Sequence, residues 1–239
     1  VPMINRLAAS PVKHPSAALL CVQILGILLY PLMEDTSAER ALFGVIGLLV
    51  LGAALYVVKR GPWLTGFGVV LALPVVVLSI WLAFDFDPRR MVLMAALEAV
   101  FYFYAAGSLI AYMFEDDVAS VDELFAAGAT FTLLAWAFAY AYVVCQTLLP
   151  GSFGALVAPG NPRTWMELLF LSFTTLSGVG LGDIVPLLPM ARALVMIEEF
   201  TGVMYLALVV SRLVGLSVTT RTARGKQGTD REFPEGGPG

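Results

Sequence analysis

The chain has 239 residues, 59% of them hydrophobic and 13% charged, with a mean hydropathy of +0.85 and a formal net charge of -4. A soluble domain carries about a quarter charged residues, so these proportions exclude one and describe an integral membrane protein. The net charge says little about partners, because placement of charges around the spans matters more than their total, and no nucleic-acid surface is expected. Both cysteines, Cys21 and Cys145, fall inside apolar runs, where a thiol behaves as a small hydrophobe, and suggest neither a disulfide nor a metal site.

In chain order, residues 1–15 read as a short basic cytoplasmic segment with Arg6, Lys13 and the single histidine, His14. Residues 16–114 read as a four-helix peripheral membrane domain. Its first span runs from Ser16 to Met33 and is expected to stay as an anchor, because no small-residue cleavage site follows it. The second covers Ala41 to Val58 and ends in Lys59-Arg60-Gly61-Pro62. The third covers Trp63 to Phe84, with a tryptophan near each end and Pro74 inside. The fourth, Met91 to Phe114, holds one charge, Glu98, and no arginine. A voltage sensor would carry arginines at every third position, so this domain lacks sensor charges.

Residues 115–123 form an acidic linker, EDDVASVDE. Its carboxylates either concentrate cations near a pore mouth or punctuate a helix start, with Ser120 and Glu123 spaced as a capping box. Residues 124–216 read as a pore domain. Its first helix, Leu124 to Leu149, is rich in alanine and glycine, which allow close helix approach. A glycine-rich turn, Pro150 to Gly160, leads to Asn161-Pro162, which is expected to cap a helix reaching about Thr175. That helix is only ~21 Å long, too short to span, so it re-enters. The last span runs from Met190 to Leu216. Residues 217–239, polar and ending in EGGPG, read as a disordered cytoplasmic tail. The fold class is therefore all-α, with six transmembrane helices and a re-entrant loop between the fifth and sixth.

The centre of this arrangement is Leu171 to Pro186, LSFTTLSGVGLGDIVP. Gly178, Gly180 and Gly182 alternate with Val179 and Leu181, so the backbone can enter left-handed conformations. Non-helical backbone at membrane depth survives only where protein covers it or it lines a watery path. An extended, glycine-rich strand can turn successive carbonyls toward one axis, and rings of carbonyls replace the water around a cation.

These residues resemble the potassium-channel pore-loop family, whose signature TLTTVGYGDIVP is similar to TTLSGVGLGDIVP here. Val179, Gly180, Gly182 and Asp183 match its V-G-x-G-D, and Ser177 falls on its first filter threonine. Gly178 stands where the family has the threonine of the innermost ion site, and Leu181 where it has tyrosine or phenylalanine. The resemblance implies potassium held by a filter of Ser177, Gly178, Val179, Gly180, Leu181 and Gly182, supported by Thr174, Thr175 and Asp183. It also implies a homotetramer in the lipid bilayer, since four loops meet on one axis, and makes Gly202, 20 residues after Gly182, the hinge of the inner helix. Close helix packing is the alternative role of Gly202. Glu198 and Glu199, in the last span, are expected to brace the pore loop from behind or, alternatively, to contact the ion. Glu98 is expected to pair within the peripheral bundle.

Nine lysines and arginines fall on the predicted inner side and five on the outer, which places both termini in the cytoplasm of a plasma membrane, the inner membrane if bacterial. No cofactor is expected beyond the permeant potassium, and no nucleic acid; a separate regulatory ligand or subunit stays open, as does the gating stimulus. An enzyme is not expected. The lone histidine is far from Ser177, no Gly-x-Ser-x-Gly surrounds that serine, and GVGLGD lacks the third glycine of a dinucleotide fingerprint. The altered Gly178 leaves two further readings, a weakly selective sodium and potassium channel and a membrane scaffold whose pore loop has decayed.

Overall fold

The computed structural model describes residues 14–30, 47, 49–54, 56, 62–84, 87–114, 121–155 and 160–232. They form α1 (Pro15–Leu29), α2 (Pro62–Phe84), α3 (Pro88–Met113), α4 (Val121–Leu148), β1 (Phe153–Ala155), α5 (Trp165–Leu176), β2 (Ile184–Pro186) and α6 (Pro189–Glu232). Residues 47, 49–54 and 56, from the expected second span, are also helical. The rest of that span, the first 13 residues of the basic segment and Ser120 of the expected capping box lie outside the described residues.

Among the described residues, three helices are long and apolar enough to cross a membrane, Arg89–Met113, Val121–Leu148 and Pro189–Arg212. The 24 residues of the last measure about 36 Å, enough for a hydrocarbon core of about 30 Å. Prolines open α1 and α3, where a missing N–H costs nothing, and Asp87 caps α3 by accepting from the Arg89 amide at 3.0 Å. At the far end of α2, the Arg90 guanidinium lies over the Trp81 ring, 4.6 Å from its centroid. Such a cation over an indole suits the membrane boundary.

α4 is the central helix, packed against α1, α3, α5 and α6. Its small side chains make this possible. Ala126, Ala129, Ala135, Ala137 and Ala139 are fully buried, and the space above Gly128 is filled by Leu20 of α1. Trp136 and Tyr142 supply bulk between them. α6 is the opposite case: within its apolar 18-residue stretch 17% of residues are buried inside the chain, against 67% in that of α4. Phe200, 68% exposed, and Met196, Ile197 and Val203 leave a long apolar surface without a partner in the monomer.

Three expectations need correction. The fold is not purely helical, because β1 and β2 pair antiparallel, with Phe153 opposite Pro186 and Ala155 opposite Ile184; three-residue strands leave no periodic signal to read. The short helix begins at Trp165, not Pro162, and Thr164, not Asn161, caps it. Residues 217–232 of the expected disordered tail continue α6 as helix. No proline interrupts the sequence between Pro189 and Pro234, so nothing forces the helix to stop where its apolar part ends.

Candidate functional site

The site is built on α5, whose 12 residues measure about 18 Å and cannot cross a membrane. Its start is fixed twice. Thr164 and Glu167 form a reciprocal capping box: the Glu167 amide donates to Thr164 Oγ1 at 3.2 Å, and the Thr164 amide donates to Glu167 Oε2 at 2.6 Å. One residue earlier, Gln146 of α4 holds the Arg163 backbone, accepting from its amide at 2.9 Å and donating to its carbonyl at 2.8 Å. The buried Arg163 guanidinium reaches Glu167 at 3.3 Å and the Asn161 carbonyl. Behind the loop, Leu187 donates to the Ser152 carbonyl at 2.8 Å, extending the β1–β2 pairing.

The C-terminal end of α5 turns into the glycine run through a defined cap. Ser177 is the last near-helical residue, and Gly178 follows at φ +73°. The Gly178 amide donates to the Thr175 carbonyl and the Val179 amide to the Thr174 carbonyl, both at 3.0 Å. This pairing, with a left-handed glycine between, is the Schellman motif. The Gly180 amide also reaches the Thr174 carbonyl at 3.0 Å, and Gly180 is again left-handed at φ +64°. Two of the three glycines thus use the conformation only glycine adopts without strain; Gly182 does not. Among the described residues no backbone hydrogen bond ends on the carbonyl of Gly178, Val179, Gly180, Leu181 or Gly182. The segment is exposed on the chain's own surface, with Val179 at 62% and Leu181 at 59%.

The residues around this run divide into two groups. Thr174 and Thr175 are buried, and Thr174 Oγ1 donates to the Leu171 carbonyl at 2.9 Å. Ser177 Oγ turns back to the Thr174 carbonyl at 3.3 Å. Glu198 is fully buried, and its carboxylate hydrogen-bonds Tyr142 of α4 through Oε2 and Ser172 of α5 through Oε1. Ser172 Oγ also lies 2.8 Å from the Ala135 carbonyl of α4. One side chain thereby joins α4, α5 and α6. Tyr142 and Ser172 had no part in the expected site, although a glutamate in an apolar run demands hydroxyl or cationic partners. Glu199 differs from its neighbour: it is exposed, because one helical step of about 100° turns it away from α5. It does not brace the chain's own loop. Asp183 is likewise exposed.

Gly202 lies where α6 passes the end of α5. A Cβ built there would stand 2.0 Å from the Leu176 carbonyl oxygen and 2.7 Å from its carbon. α6 continues unbroken through this point. Glycine at 202 thus meets a packing requirement, the role named beside the hinge.

Glu98 is buried between α3 and α4, hydrogen-bonded to Tyr140, beside Tyr102, with Oε2 lacking a partner. Tyr102 stacks on Tyr140 at 5.8 Å, and Tyr140 packs on Trp165 of α5 at 5.8 Å. Asp122 and Glu123, the described carboxylates of the acidic linker, are both buried and paired, to Ser16 and Arg212. They do not stand as free charges at a mouth.

No curated protein and no solved structure matches the chain. Residues 129–217, from within α4 through α5 and the glycine run to the middle of α6, match the family described as "Ion channel". The matched segment is thus similar to an ion-channel domain and not to an enzyme, in a chain with three described helices long and apolar enough to cross a membrane.

Proposed function

We propose that this chain is a potassium-conducting channel subunit, that four copies surround one axis, and that ions pass through rings of carbonyls contributed by residues 178–182. The observation that carries the reading is the run of five carbonyls without backbone partners, exposed at the C-terminal end of a helix too short to cross the membrane. Unpaired carbonyls in a membrane are costly unless a ligand or water satisfies them, and a dehydrated cation is such a ligand. The negative end of the α5 dipole faces the same point and favours a cation there. The uncovered apolar face of α6 supports assembly, since neighbouring copies would bury it together with Val179 and Leu181.

In this reading α5 is re-entrant, six helices cross the plasma membrane, and both termini lie in the cytoplasm. Ser177, Thr174, Thr175 and Asp183 flank the filter, and Glu198 holds it from behind through Ser172 and Tyr142. Gly202, the glycine within the apolar Pro189–Arg212 part of α6, is the proposed hinge as well as a contact point. The arginine-free fourth span argues against conventional voltage gating.

Weak selectivity between sodium and potassium is the second reading, and one observation favours it. Position 178 carries no side-chain oxygen and is held left-handed, so the inner end of the run offers backbone ligands alone. Native mass spectrometry of purified protein tests the assembly, with a tetramer expected and a monomer opposed to it. Potassium flux into liposomes tests conduction, and its absence in a correctly assembled tetramer favours the scaffold reading.

A further inference from the structure

The end of the bundle opposite the glycine run holds a contact set that the pore reading does not use. Asp122 and Glu123 occupy the first turn of α4, are both buried, and face different partners. Asp122 turns to the peripheral helices. Its Oδ1 accepts from the Ser16 amide at 3.1 Å and its Oδ2 from Ser16 Oγ at 2.9 Å, with the Tyr112 hydroxyl of α3 at 3.4 Å. The His14 side chain does not cap α1. Asp122 therefore supplies, from another helix, the carboxylate that the exposed N–H groups of an α1 N-terminus favour. Glu123 turns to the pore. Its Oε2 lies 3.1 Å from the Arg212 guanidinium at the far end of the α6 span, and that guanidinium also sits over the Phe114 ring, which ends α3, at 5.3 Å.

We propose that Asp122 and Glu123 act as a two-sided coupler through which the peripheral helices α1 and α3 hold the far end of α6. Two adjacent residues at the start of a rigid, closely packed helix cannot move independently. A displacement of the first turn of α1 relative to α4 is therefore transmitted to Arg212. The peripheral domain gains a mechanical role that does not need sensor arginines: a stimulus that moves α1 or the end of α3 reaches the end of α6, where helices of neighbouring copies would approach one another. That last consequence rests on the channel reading; the coupling itself does not.

The test uses the full chain in lipid nanodiscs and two readouts. Amide hydrogen exchange at residues 206–212 reports the hold on α6 without any current. Glu123→Gln and Arg212→Gln should each speed it about fivefold or more, a size usual for coupled sites, and the double variant should be no faster than either single one. The deciding variant is Asp122→Ala, with Ser16→Ala as a milder form. Neither touches α6, yet each should speed exchange at 206–212 while residues 165–176 keep the wild-type rate. Unchanged exchange at 206–212 in both peripheral variants overturns the proposal, as does equal acceleration at 165–176, which would signal general loosening. Open probability in bilayers is the second readout, and Asp122→Ala and Glu123→Gln should shift it in the same direction by about fivefold or more. Shifts in opposite directions overturn the proposal. Altered exchange without current in any assembled variant upholds the coupling and refutes conduction.

Discussion

Gly202 of α6 meets the carbonyl of Leu176, the last residue of α5, so closely that a Cβ would lie 2.0 Å from the oxygen. The neighbour is backbone at a helix end fixed by a Schellman motif, and it cannot swing aside as a side chain would. Gly202→Ala should therefore force the two helices apart and destabilise the assembled protein by about 2–3 kcal/mol or more. Thermal melting of the purified protein in detergent measures this. A variant that melts like the parent and differs only in open probability would assign Gly202 to bending alone.

Glu198 binds two buried hydroxyls on two helices. Glu198→Ala leaves the Tyr142 hydroxyl unsatisfied, at about 1–3 kcal/mol, while Ser172 Oγ keeps the Ala135 carbonyl, and should lower the stability of the protein accordingly. Tyr142→Phe removes one partner and should cost less. Because the three groups form one network, the double variant Tyr142→Phe with Glu198→Ala should be less destabilised than the two single effects added together. Additive losses would show that the contacts act separately.

Gly178 is left-handed at φ +73°, with open space where a Cβ would stand. Size is no obstacle at this position, but conformation is. Gly178→Ala should cost about 1–2 kcal/mol, and Gly178→Asn less, since asparagine tolerates this region. If the missing hydroxyl relaxes ion discrimination, Gly178→Thr should raise the potassium-to-sodium permeability ratio. The β-branched residue must first leave the left-handed region, so the variant should also melt earlier than the parent. A ratio unchanged in an assembled Gly178→Thr protein would refute this role for position 178.

The capping box gives a smaller, local effect. Thr164→Ala removes the acceptor for the Glu167 amide and should cost about 1 kcal/mol. Proteolysis in the turn before α5 should become faster. An unchanged cleavage rate would mean that the Gln146 clamp on Arg163 alone fixes the helix start.

Much of this arrangement is legible in the sequence because it depends on local pattern. Apolar runs mark the helices of the pore segment, and the alternating glycines mark backbone that needs left-handed conformations. Other parts depend on contacts between distant residues. Glu198 announces that it needs partners, but Tyr142 is 56 residues away and Ser172 is 26 away, and neither is distinctive among many hydroxyls. Glu123 is spaced for a capping box, while its partner Arg212 lies 89 residues on. The exposure of Glu199 beside the burial of Glu198 follows from the rotation of α6 against α5, which an apolar helix with no strongly polar face does not reveal. The helical extension to Glu232 was hidden for a different reason: its composition is polar enough to read as disordered, and only the absence of proline permits the helix.

The central claim is that the exposed carbonyls of residues 178–182 discriminate among cations. Reversal potential across a planar bilayer containing purified oligomer, with potassium on one side and sodium on the other, tests it most directly. The account predicts reversal near the potassium equilibrium potential. A robust current reversing near zero would contradict potassium selectivity and favour the weakly selective reading.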